Sequence, residues 1–135
     1  MITAVDTNVL LDVFGADTRF GETSSEALRH CLREGALVAC EVVWAEAATA
    51  FQEDEAFLRA MAELGVAFEP MREEAALGAA RAWHSYRVRG GSRLRIASDF
   101  LIGAHAIQAA DRLLTRDRGF YRQVFRGLKV LDPSA

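Results

Sequence analysis

Short apolar runs of strand-forming residues alternate with longer helical segments along this chain, and this alternation most constrains the fold. The runs are ITAVD, ALVAC, VAFEP, RLLTRD and LKVLD. Successive strands separated by helices are joined by crossovers rather than hairpins, and crossovers favour parallel pairing. Such a sheet needs cover on both faces. We therefore predict an α/β fold, a central and mostly parallel sheet between two helical layers.

The segments between these runs predict seven helices. They are NVLLDVF, ETSSEALRHCLREG, EVVWAEAATAF, DEAFLRAMAELG, REEAALGAARAWHSYRVR, DFLIGAHAIQAA and FYRQVF. We expect Thr7 or Asn8 to cap the first helix and Ser98 to be the N-cap of DFLIGAHAIQAA. Gly90 and Gly91 break the longest helix and predict a flexible hinge.

Length and composition indicate one domain spanning residues 1–135. The 135 residues are 51% hydrophobic and include two prolines, which suits a compact core. We find neither an apolar run of about 20 residues nor a signal peptide, so we expect a cytoplasmic protein without a membrane segment. Cys31 and Cys40 form no CxxC pattern and are expected to be reduced thiols.

Charge is unevenly distributed. The net charge is −3, with thirteen acidic residues and four arginines in residues 1–69 against six acidic and twelve basic residues in 70–135. Eleven of the twelve cations are arginine, whose planar guanidinium matches phosphate geometry. The acidic total argues against a general nucleic-acid binder, but a local basic face remains compatible with the pattern.

Two aspartates end apolar runs: Asp6 closes the first, and Asp117 closes RLLTRD. Because ligands bind beyond the carboxyl ends of parallel strands, these side chains are candidates for one site. Glu46 lies in an otherwise apolar helix, and Asp99 lies in the first turn of another. The alternative is that each acid caps or turns into a helix. Asp12 and Asp111 are expected at the surface or at caps, and of the two Asp12 is the one expected nearer the site.

Four clustered carboxylates would repel one another unless protons or cations compensate them. A donor set made of oxygen alone, without cysteine or histidine at metal-ligand spacing, favours Mg²⁺ or Mn²⁺ over Zn²⁺. Carboxylate-bound Mg²⁺ serves phosphoryl chemistry.

Four stretches, taken in order, resemble the PIN domain and closely resemble the VapC toxins of toxin–antitoxin pairs. They are VDTNVLLD, VVWAEAA, SDFLIGAHA and LLTRDRGFYRQVFRGLKVL. The resemblance implies a metal-dependent endoribonuclease on a PIN-like α/β/α sandwich. It matches Asp6, Glu46, Asp99 and Asp117 to the family's acidic quartet, with Asn8 and Thr115 in support.

The resemblance further implies that Asp6, Asp99 and Asp117 bind Mg²⁺ or Mn²⁺, with Glu46 acting through water or a second ion. It also implies a homodimer and a groove for an antitoxin peptide, for which Trp44, Phe51, Phe57 and Met61 are candidates.

Arginines near Asp99 and Asp117 are candidate RNA contacts: Arg87, Arg89, Arg93, Arg95, Arg116 and Arg118. They would bind phosphates; the alternative is a solvated basic loop or contacts to an acidic protein partner. Trp83, His84 and Tyr86 are candidates for stacking on bases. Neither His84 nor His105 is assigned to catalysis.

Other functions fit parts of the pattern. An aspartyl-phosphate enzyme would use Asp6 as nucleophile, but Asn8 stands where one such family needs a second Asp, and the paired acids of a receiver domain are missing. A PIN nuclease that processes RNA without being a toxin is another alternative. A non-catalytic module could instead bind a basic protein segment in the acidic pocket.

Overall fold

The computed structural model describes residues 1–92 and 95–134. In these residues the strands are β1 (Ile2–Val5), β2 (Ala36–Ala39), β3 (Val66–Phe68), β4 (Arg112–Leu114) and β5 (Val130–Leu131). The helices are α1 (Thr7–Phe14), α2 (Gly21–Glu34), α3 (Glu41–Ala48), α4 (Asp54–Leu64), α5 (Glu73–Val88), α6 (Ala97–Ala109) and α7 (Arg118–Val124).

The strands form one parallel sheet in the order β3-β2-β1-β4-β5. Strand β1 lies at the centre, with Val5 opposite Leu114 of β4 and Ala4 opposite Val38 of β2. This confirms the predicted sandwich, and it places the chain segments that follow β1 and β4 side by side.

Burial of consecutive strand residues shows why the sheet needs two helical layers. Ala4 and Val5 in β1 are both buried, as are Leu113 and Leu114 in β4. Side chains of neighbouring strand residues point to opposite faces, so both faces are covered. No helix in residues 1–92 or 95–134 is long and apolar enough to cross a membrane.

Two predicted helix caps are wrong. The carboxylate of Asp6 caps α1 by accepting a 2.7 Å hydrogen bond from the Thr7 backbone, because α1 begins directly after β1. Helix α6 begins at Ala97, so Ser98 lies inside its first turn. There the Asp99 carboxylate accepts a 3.3 Å hydrogen bond from the Ile96 backbone N–H, so the capping role considered as the alternative for Asp99 is present in the structure.

The apolar residues of α3 and α4 pack mainly into the core. Phe57 and Met61 are buried, so the expectation that they line a partner groove is wrong. Trp44 packs edge-to-face on Phe57 with ring centroids 5.4 Å apart, and Phe51 contacts the same ring at 5.7 Å. Aromatic pairs in these arrangements stabilise a core beyond the area they bury.

Candidate active site

Four elements bring the predicted acidic residues towards the carboxyl end of the sheet. Asp6 directly follows β1 and Asp117 follows β4, while Glu46 lies in α3 and Asp99 in α6. The negative charges of Asp117 and Glu46 raise the pKa of Asp99, and the charge of Asp99 in turn raises the pKa of Asp6. We call these four carboxylates the acidic cluster.

Asp6 is the most buried member of the acidic cluster, with 6% of its surface exposed. Its carboxylate accepts 2.7 Å hydrogen bonds from the Thr7 backbone N–H and from the Thr115 hydroxyl. Burial, with a smaller contribution from the charge of Asp99, raises the pKa of Asp6 from 3.8 to about 6 despite these hydrogen bonds. A buried carboxylate whose pKa is raised this far, and which needs a nearby positive charge to ionise, is typical of a functional site.

Thr115 and Asn8 join the ends of β1 and β4. The Thr115 hydroxyl donates to Asp6 and accepts a 3.0 Å hydrogen bond from the Asp117 backbone N–H. Asn8 donates to Asp6 at 3.3 Å, and its carbonyl oxygen accepts a 3.1 Å hydrogen bond from the backbone N–H of Arg116. These contacts set the spacing between the two strand-end acids.

Thr7 holds Glu46, a role that the sequence analysis missed. The Thr7 hydroxyl donates a 2.7 Å hydrogen bond to Glu46 Oε1, while the Thr7 backbone N–H donates to Asp6. One buried residue therefore positions two members of the acidic cluster. Its place directly after Asp6 in VDTN was the only sequence signal.

Arg95 supplies positive charge to the acidic cluster. Its guanidinium donates two hydrogen bonds to Asp117, one of them 3.1 Å long, and lies 4.0 Å from Asp99 Oδ2. It also lies over the ring of Phe120, 4.2 Å from the centroid. Burial raises the pKa of Asp99, reinforced by the charges of Asp117 and Glu46 and opposed by Arg95.

Tyr121 is a second residue that the sequence analysis did not assign to the site. Its hydroxyl is buried and faces Asp6, but no contact in the described residues meets hydrogen-bond geometry. Burial raises the pKa of Tyr121, and the charges of Asp6, Asp99 and Asp117 raise it further. The hydroxyl therefore stays protonated and is a donor aimed at the acidic cluster.

The remaining predicted arginines differ in their surroundings. Arg116 donates to both oxygens of Asp12, at 2.7 and 2.9 Å, and lies over the Phe20 ring. Asp12 is 4% exposed, so its predicted surface position is wrong. Arg118 lies 3.5 Å from Asp132.

Arg87 and Arg89 are exposed on the last turn of α5 and just after it, whereas Arg93 lies outside the described residues. Of the two histidines considered, His84 is exposed on α5. His105 is buried in α6, where burial lowers its pKa.

The donor chemistry of the acidic cluster fits a hard divalent cation. All four side chains offer carboxylate oxygens, and burial raises the pKa of two of them, Asp6 and Asp99, which disfavours their charged form without a cation. Among residues 1–92 and 95–134, no three acidic, histidine or cysteine side chains already converge as a ligand set. In this structure the Arg95 guanidinium supplies the positive charge beside Asp117.

Solved structures with the same fold come from toxin–antitoxin systems of the VapBC and FitAB type. The chain has a TM-score of 0.75 to VapBC2 from Rickettsia felis, solved bound to a promoter DNA fragment, at 15% identity over 98% of each chain. It has a TM-score of 0.75 to VapBC-1 from nontypeable Haemophilus influenzae, at 20% identity over 100% of each chain. FitAcB from Neisseria gonorrhoeae gives 0.69, at 21% identity over 98% of each chain.

No curated protein sequence matches the chain significantly. The sequence matches the PIN domain family over residues 3–125, which includes every member of the acidic cluster. The likeness to VapC toxins inferred from the four motifs is confirmed at the level of fold. With a five-stranded parallel sheet and strand-end acids on the expected elements, this chain belongs to the PIN domain family.

Proposed function

We propose that this protein is a Mg²⁺- or Mn²⁺-dependent endoribonuclease whose acidic cluster hydrolyses RNA phosphodiester bonds. The observation that carries the proposal is the proximity of four carboxylates at one end of the sheet, where burial, with a smaller contribution from mutual repulsion, raises the pKa of Asp6 and Asp99. Such groups ionise together only beside compensating positive charge. PIN family membership supports the same assignment, since its domains are typically nucleases.

Asp6, Asp99 and Asp117 would hold the cation, and Glu46 would act through water or a second ion. A divalent cation bound there would polarise a phosphate oxygen and make an attacking water more acidic. Thr115 and Asn8 hydrogen-bond the Asp6 carboxylate and so fix its position relative to Asp117. Thr7 hydrogen-bonds the Glu46 carboxylate, which in this proposal would accept a proton from the attacking water.

We further propose that the protein is the toxin of a VapBC-type pair, with an antitoxin protein as partner and a homodimer as its assembly. Structures of the same fold are complexes named VapBC and FitAB, which supports an antitoxin partner. The rival assignment is an RNA-processing PIN nuclease that has no antitoxin. Copurification of a small protein from its neighbouring reading frame would favour the toxin over that rival.

The decisive experiment compares Asp6→Asn and Asp99→Asn with Glu63→Gln, which changes an exposed carboxylate on α4. Each purified protein is incubated with a mixed small-RNA pool in Mn²⁺ or in EDTA. We expect discrete fragments from the wild type and Glu63→Gln in Mn²⁺, and cleavage reduced about 100-fold or more in both aspartate variants.

Two results would contradict the proposed nuclease function. Cleavage that persists in EDTA would remove the metal requirement, and full activity of purified Asp99→Asn would remove the acidic cluster from the chemistry. Calorimetry with Mn²⁺ on the same samples tests the binding-module alternative, because a module that captures a basic peptide in the acidic cluster requires no cation.

A further inference from the structure

A groove of about 810 Å³ lies next to the acidic cluster. It combines two guanidinium groups with indole and imidazole rings, and we call it the Trp83 groove. Its lining residues are Trp83, His84, Arg87, Val88, Gly91 and Arg95. Flat rings beside cations are the combination that binds single-stranded nucleic acid without reading its sequence.

Arg95 connects the Trp83 groove to the acidic cluster. The same side chain lines the groove, hydrogen-bonds Asp117 and lies 4.0 Å from Asp99. A molecule that occupies the groove is therefore separated from the acids by one guanidinium. A phosphate placed on Arg95 would lie beside the carboxylates proposed to bind the cation.

The core holds the Trp83 ring in one orientation. Trp83 stacks nearly parallel on Phe100, with centroids 5.6 Å apart and an interplanar angle of 14°. Phe100 is fully buried and directly follows Asp99 in α6. Because the ring is already ordered, stacking a base on it costs little further side-chain entropy.

Tyr86 contacts the wall of the groove at Gly91, where the chain turns after α5. Gly90 has a φ of 79°, in the left-handed region that favours glycine. A Cβ atom on Gly91 would lie 2.3 Å from the Tyr86 ring. Backbone N–H groups of Gly91 and Ser92 donate to the carbonyl and hydroxyl oxygens of Tyr86 at 2.8 and 3.0 Å.

We propose that the Trp83 groove binds one unpaired RNA nucleotide adjacent to the cleaved bond, with its base stacked on Trp83 and its phosphates on Arg87 and Arg95. This inference rests on the proposed ribonuclease function and names the residues that would hold the nucleotide beside the cleaved bond. Bases in an A-form duplex are stacked on one another and cannot stack on a protein ring.

Tryptophan fluorescence tests the proposal, because the chain has only two tryptophans. The Trp44→Phe variant leaves Trp83 as the only indole, and Trp44 packs elsewhere, against Phe57 and Phe68. The protein is titrated in EDTA, where metal-dependent cleavage is blocked, with a ten-nucleotide single-stranded RNA of mixed sequence. The same RNA annealed to its complement is the comparison ligand.

We expect the single strand to quench Trp83 emission and the duplex to leave it nearly unchanged. In the otherwise wild-type chain, Trp83→Leu should weaken binding of the single strand about 5- to 150-fold, the range for loss of one stacked base. Trp83→Phe keeps an aromatic ring and should retain most of the affinity. Arg87→Gln should lower the slope of log affinity against log salt by about 0.7.

The outcomes separate this inference from the function on which it rests. The proposed role of the Trp83 groove would be wrong if wild type and folded Trp83→Leu bound the single strand with equal affinity. It would also be wrong if the duplex quenched Trp83 emission as much as the single strand does. Metal-dependent cleavage measured on the same samples would still support the nuclease. Quenching by the single strand with no cleavage of any RNA in Mn²⁺ would support the groove and contradict the nuclease.

Discussion

Thr115 links Asp6 and Asp117 through one buried hydroxyl group, which donates to the first and accepts from the backbone of the second. Thr115→Val keeps the shape of the side chain and removes these two hydrogen bonds and the 3.3 Å one that the hydroxyl accepts from the Asn8 amide. We expect a loss of about 1–3 kcal/mol in the free energy of unfolding, because a buried carboxylate loses a donor. We also expect Mn²⁺ to bind about 10- to 100-fold more weakly.

Urea unfolding and calorimetric titration measure the two effects. Thr115→Ser retains the hydroxyl and should remain close to the wild type in Mn²⁺ affinity. Wild-type affinity in Thr115→Val would show that the hydroxyl has no part in positioning the acids.

Arg95 provides a second prediction at the scale of one residue. Its guanidinium neutralises Asp117, so a divalent cation competes with it for the same carboxylate. Both side chains are about one-third exposed, and such a pair contributes at most about 1 kcal/mol. Arg95→Gln should therefore bind Mn²⁺ up to about 5-fold more tightly in the absence of RNA.

Arg87→Gln is the matched control, because it removes a cation from the same groove and leaves the Arg95–Asp117 pair intact. Calorimetry should give it the Mn²⁺ affinity of the wild type. If Arg95→Gln binds Mn²⁺ no more tightly than this control, Arg95 and the cation do not compete.

At the scale of elements, Arg116 connects the end of β4 to α1 and α2. It pairs with Asp12 of α1, and Asp12 also accepts a 2.8 Å hydrogen bond from Ser24 of α2. Arg116→Gln would leave a buried carboxylate without its cation, at a cost of about 3 kcal/mol. The double variant Arg116→Met with Asp12→Leu should recover much of that loss in urea unfolding.

This contact bears on the predicted RNA-binding role of Arg116. A guanidinium already bound at both Asp12 oxygens is less available for phosphate than Arg87. Arg116→Gln could instead leave the free energy of unfolding unchanged and reduce the salt dependence of RNA binding. Arg116 would then be a phosphate contact, and the stabilising role assigned to its pair with Asp12 would be wrong.

For the whole molecule, the acidic cluster makes stability depend on pH. Asp6 has a pKa of about 6 in the folded chain and 3.8 as the ordinary value, so the folded state binds its proton more tightly than the unfolded state does. In EDTA, the contribution of Asp6 to the free energy of unfolding is therefore greatest below pH 4. It falls as the pH rises to about 6, with a total change on the order of 3 kcal/mol.

Asp6→Asn should flatten this pH dependence and stabilise the metal-free protein at pH 7 by about 1–2 kcal/mol, since the amide replaces a buried charge but loses an acceptor. Glu63→Gln should retain the wild-type profile. Urea unfolding between pH 4 and 8 measures all three proteins. A less stable Asp6→Asn at pH 7 would contradict the cost assigned to the ionised carboxylate.

Much of this architecture was predictable from local patterns in the chain. Alternating strands and helices predicted the parallel sheet, because burial on both faces requires consecutive apolar residues such as Leu113 and Leu114. Acids at strand ends predicted a site, because parallel strands present their carboxyl ends at one edge. Each of these signals is contained within a few neighbouring residues.

The individual contacts of the site were decided by tertiary structure. Thr7 or Asn8 was expected to cap α1, but the packing of α3 beside α1 brings Glu46 within reach of the Thr7 hydroxyl. Asp12 was expected at the surface, but α2 and Arg116 cover it. Trp83 stacks on Phe100 because α5 packs on α6. Arg95, just before α6, pairs with Asp117 because α6 packs beside β4. Such pairings depend on how distant elements are placed in space, which the period and composition of each segment do not specify.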